Sequence, residues 1–76
     1  MHLSEFQIQV ASAPDREKCV VEIWHGDNMV CEINEEYGAP VVEIYPNPAG
    51  GPWLFDYATF NEALNRALRR LLEGAA

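Results

Sequence analysis

The chain is poor in bases, with five lysines and arginines against twelve acids, giving a formal charge of −7 over 76 residues. Such a surface repels DNA, RNA and anionic membranes, because contacts from Lys and Arg to phosphate supply most non-specific affinity. It suits a basic protein partner, or simple solubility. Cysteine is also scarce, at two residues, whereas a secreted domain this small usually carries several disulfides. The opening MHLSEFQIQV has no basic stretch leading into an apolar run, so no secretory signal is expected there. No apolar run approaches the ~20 residues of a membrane span. A cytoplasmic location is the resulting expectation. Metal-ligand spacings are missing too. No C-x-x-C or H-x-x-x-H occurs, and Cys19, Cys31, His2 and His25 stand singly, so neither a metal nor another cofactor is expected. Ser4 and Ser12 have no base placed beside them, and His25 reads as a solvated turn residue. The chain is therefore expected not to be an enzyme.

Apolar residues are plentiful. They make up 49% of the chain and include three Phe, three Tyr and two Trp, enough for a core and too many for disorder. One domain over residues 1–76 follows from the length. A domain of this size buries only about 60% of its unfolded surface.

Period-two alternation marks four strands. In EFQIQV, Phe6, Ile8 and Val10 share a face, and ASAPDRE then turns around Pro14-Asp15. KCVVEIW and MVCEI flank the turn formers HGDN and read as a hairpin. A two-residue Gly26-Asp27 loop would put Glu32 on the inner face beside Val21, which is costly. An odd loop is therefore expected, with Ile23, Met29, Cys31 and Ile33 inward. In that register Cys19 and Cys31 are diagonal neighbours, near or beyond the ~7 Å limit for a disulfide, so free thiols are expected. NEEYGA turns through Gly38, and PVVEIYP is the fourth strand, with Val42 and Ile44 inward.

Asn47-Pro48 and Gly50-Gly51-Pro52 then break regular structure. Asp56 is a good helix N-cap, and Phe55 and Phe60 have the spacing of a hydrophobic staple. Tyr57, Phe60, Leu64, Ala67, Leu68 and Leu71 form one apolar stripe, with Glu62, Asn65, Arg66, Arg69 and Glu73 opposite and Gly74 as the stop. The expected fold is two-layer α+β: a four-stranded antiparallel meander with one C-terminal amphipathic helix on one face, ββββα.

The other face of that sheet is the candidate site. It is expected to carry Val20, Trp24, Val30, Val41 and Tyr45, with Glu22, Glu32 and Glu43 in a cross-strand row. Uncovered apolar area of that kind marks an interface. Glu22, Trp24, Val30, Glu32, Val41, Glu43 and Tyr45 are accordingly the expected partner-binding residues. The expected partner is a protein, either basic in character or a second copy forming a homodimer, and an edge strand offers another route. The alternative is a small-molecule-binding protein or small enzyme whose pocket has the Pro48–Trp53 loop, including Pro48, as its rim and Trp53 and Tyr45 as its walls. Against it, the loop is also the connector that the chain reversal requires.

From Glu22 to Leu72 the chain resembles a class of short, mostly uncharacterised bacterial proteins. The resemblance lies in VEIW and VCEI around a turn, VEIYPNP, GGPWLFDY and FNEALNRALRRLL. It implies a shared fold and little about function. More weakly, the acidic chain is similar to small immunity proteins, antitoxins and phage-encoded inhibitors, and EALNRALRRLLEG resembles a helix of partial RNase-H-like antitoxins. That similarity implies a non-enzymatic inhibitor acting by protein binding.

Overall fold

The computed structural model describes residues 6–12 and 18–73. The expected turn at Pro14-Asp15, and His2, Ser4 and Gly74, lie outside them. Strands β1 (Gln7–Ala11), β2 (Val20–His25), β3 (Asn28–Asn34) and β4 (Val41–Ile44) precede helix α1 (Tyr57–Leu72). The strands form one antiparallel sheet in the order β1-β2-β3-β4, and the helix packs on one face of it, as the alternation and the stripe predict.

The β2–β3 hairpin reaches the expected facing by a different route. Its turn is the two-residue Gly26-Asp27, with Gly26 at φ 63°. A β-bulge then skips Val30, so that Trp24 pairs with Met29 while Ile23 pairs with Cys31. An even turn plus one extra strand residue gives the same parity as an odd loop. Glu32 therefore stays off the helix side, as expected, but the bulge exchanges two neighbours. Val30 is 1% exposed and belongs to the core, not to the outer face. Met29 stands opposite Trp24.

The core joins Val21, Ile23, Val30, Cys31 and Ile33 from the sheet to Ala63, Ala67 and Leu71 from the helix. Phe6, Ile8, Val10, Phe60 and Leu64 pack around it. The helix meets the sheet through two alanines, which let its backbone come close. Its buried line is rotated from the stripe that periodicity suggests. Tyr57 is 83% exposed, and Ala63 takes its place in the buried line. Asp56 caps the helix, its carboxylate accepting from the Thr59 amide at 3.0 Å and the Thr59 hydroxyl at 2.7 Å. Those two bonds hold the Asp56 carboxyl below the usual carboxylate range. Phe55 and Phe60 stack with ring centroids 5.2 Å apart, the expected staple.

α1 crosses β1, β2 and β3 and does not reach β4. Val42 and Ile44 point to the helix side, as alternation predicts, yet they remain 46% and 65% exposed. Their inward facing therefore does not bury them, because the helix leaves this margin of the inner face uncovered. One helix is about 10–12 Å across, whereas strands are spaced about 4.8 Å apart, so a four-strand sheet is wider than the helix.

Candidate functional site

The outer face is built from aligned rows. Glu22 pairs with Glu32, and Glu32 with Glu43, so three carboxylates stand in register across β2, β3 and β4, with Gln9 of β1 continuing the line. Like charges directly opposite one another destabilise a sheet. Each neighbouring row supplies donors. The Trp24 indole N–H donates to Glu22 Oε1 at 2.9 Å. The Tyr45 hydroxyl donates to Glu32 Oε1 at 2.6 Å, and Asn34 Nδ2 donates to Glu32 Oε2 at 2.9 Å. Glu32, only 5% exposed, is tolerated because both of its oxygens are hydrogen-bonded.

The face is thus more closed than the alternation suggests. Val20, Glu32 and Asn34 are buried, whereas Glu22, Trp24, Val41, Glu43 and Tyr45 are half-buried. Of the seven residues singled out in the sequence, six share this face and Val30 does not. Trp24 and Tyr45 act as donors that orient carboxylates.

The connector after β4 is largely structural. Asn47 makes its turn, accepting from the Ala49 amide at 3.0 Å through Oδ1 and from the Gly50 amide at 2.9 Å through its carbonyl. Asn47 Nδ2 reaches the Pro52 carbonyl at 3.2 Å. Gly50 and Gly51 both take positive φ, 81° and 72°, where a side chain would be strained. Pro48 is exposed within this turn. The Trp53 indole N–H donates to the Tyr45 carbonyl at 2.8 Å and so ties the connector back to the end of β4. Trp53 and Tyr45 do not form facing walls. Trp53 instead joins an aromatic group of Phe6, His25, Phe55 and Phe60, with centroid separations of 4.9 to 5.4 Å. His25 is therefore half-buried against Phe6 and Phe55, not a solvated turn residue.

That group forms one wall of an apolar groove of about 290 Å³, lined by Val30, Ile44, Trp53, Phe55, Tyr57 and Phe60. It lies where α1 stops short of β4. The alternation hints at it through Val42 and Ile44, but the gap itself depends on where the helix lands.

Cys19 and Cys31 are free thiols, as expected. Among the described residues no group of three or more His, Cys, Asp and Glu side chains converges to hold a metal ion, and no helix is long and apolar enough to cross a membrane. Comparison with family models, curated proteins and solved structures returns no match to this chain.

Proposed function

We propose that this protein is a non-catalytic protein-binding module whose partner presents a basic surface to the β4 side of the outer sheet face. The register alignment of Glu22, Glu32 and Glu43 carries this reading. A row of like charges is unfavourable in isolation and becomes favourable opposite cations. Hydrogen bonds from Trp24, Tyr45 and Asn34 fix two of the three carboxylates in place, so little side-chain freedom is lost on binding. Aromatic residues beside fixed charges are typical anchors of protein interfaces. Occlusion of a basic surface is also how a small acidic inhibitor, such as an immunity protein or antitoxin, would act.

Affinity purification with mass spectrometry, comparing the wild type with Glu22→Lys/Glu43→Lys, tests the proposal. Both residues are half-buried at the surface, so the variant is expected to fold, with circular dichroism as the check. The expected outcome is a basic protein that the wild type retains and the variant loses, with retention weakening as salt rises. Identical retained sets for the two baits would reject it.

A further inference from the structure

The free edge of β4 separates two chemistries. Val42 and Ile44 stand on its helix side, exposed because α1 does not reach this strand. Val41 and Glu43 stand on the other side, and Glu43 ends the glutamate row. No described strand pairs along the far edge of β4. The Tyr45 amide donates to the Val30 carbonyl at 2.9 Å. Main-chain bonding in an antiparallel pair alternates from residue to residue. Val41, Glu43 and Tyr45 therefore turn their N–H and C=O groups toward β3, and Val42 and Ile44 turn theirs outward.

We propose that β4 takes up an extended segment of a basic partner protein as a fifth strand, and that it selects the order apolar–basic–apolar at three consecutive positions. The inference rests on the protein-binding function above and names the segment that is bound. Residues opposite one another in paired strands project to the same face. The two residues bonded to Val42 and Ile44 would then point to the helix side, into the groove of about 290 Å³ walled by Ile44, Trp53, Tyr57 and Phe60. The residue between them would stand opposite Glu43, where Lys or Arg extends the acidic row with the complementary charge. In strand addition the main chain supplies affinity and alternate side chains supply selectivity.

A second copy suits this edge less well. Pairing that sets Val42 against Ile44 of the other copy also sets Glu43 against Glu43 and merges two acidic rows, between chains that each carry −7. Pro40 and Pro46 bracket the strand, which keeps the free edge short and limits runaway self-pairing.

The test uses blocked synthetic peptides at up to millimolar concentration. One has an Ile-Lys-Ile core, an isomer has a Lys-Ile-Ile core, and a third is Ile-Lys-Ile with both isoleucine amides N-methylated. Binding is followed through the amide resonances of Val42 and Ile44. The Ile-Lys-Ile peptide is expected to shift both resonances. The N-methylated peptide should bind about tenfold more weakly or worse, given the worth of two main-chain hydrogen bonds, and the isomer should also bind more weakly, because it sets an isoleucine beside Glu43 and a lysine in the apolar groove. Separate Glu43→Lys and Ile44→Asp variants, each confirmed as folded by circular dichroism, should lose the binding. Equal, salt-sensitive binding of all three peptides would overturn strand addition and leave the acidic-face function standing. Failure of every lysine peptide, even at low salt, would overturn both. A wild-type dimer that Ile44→Asp converts to monomer would assign the edge to a second copy and overturn the inference as well.

Discussion

Cys31 lies at the centre of the sheet with no accessible surface, and burial pushes its thiol up to about 11 from the ordinary 9.0. The folded state therefore holds its proton more tightly than the unfolded state. Its contribution to stability is intact below about pH 9 and is lost as pH rises toward about 11. Each pK unit is worth about 1.4 kcal/mol, so the loss is on the order of 2–3 kcal/mol. Denaturant titrations across this range should show the wild type losing more stability than Cys31→Val, and equal slopes for the two would contradict the burial argument. At the same scale, Asp56 could be read from the sequence because a cap and the amide that donates to it lie within three residues of each other. His25 could not. Its neighbours Phe6 and Phe55 come from distant parts of the chain, and the local string HGDN looks like any polar turn.

The helix and the hairpin show what period alone leaves open in an element. A stripe at 3.6-residue spacing identifies a helix and its apolar half, but an apolar arc that wide has no unique centre. Contact with the sheet chose the line Ala63, Ala67 and Leu71, because small side chains let helix and sheet approach. Ala67 is fully buried. Ala67→Leu is therefore expected to overpack this contact and cost about 1–3 kcal/mol. The denaturation midpoint should fall while helical circular dichroism persists. An unchanged midpoint would mean that the helix is not seated as described. In the hairpin, burial preference correctly kept Glu32 off the helix side. Whether parity came from the loop or from a bulge was invisible, since both satisfy the same alternation, and Val30 was misplaced for that reason.

At the scale of the whole molecule, one helix on four strands leaves an uncovered margin. Val42 and Ile44 occupy it, and their exposure means that the isolated fold gains little from them. Val42→Thr/Ile44→Lys is expected to change unfolding free energy by no more than about 0.5 kcal/mol, the usual range for surface sites. The same variant should bind less of a hydrophobic dye. A large loss of stability would show instead that α1 covers β4 in solution. The glutamate row belongs to this scale as well. Its members come from three strands, and only the sheet registers bring them into line.

The amino-acid sequence by itself determined the four strands, their inward and outward sides, the capped and stapled helix, and the presence of acids on the far side of the sheet. These features depend on local alternation, helical period and turn chemistry. Tertiary structure alone decided that the helix stops short of β4, that a bulge carries Val30 into the core, and that the Tyr45 hydroxyl holds the Glu32 carboxylate from the neighbouring strand. Each of those outcomes depends on how separate elements meet, in width, register and approach, and no pattern within a single element encodes that.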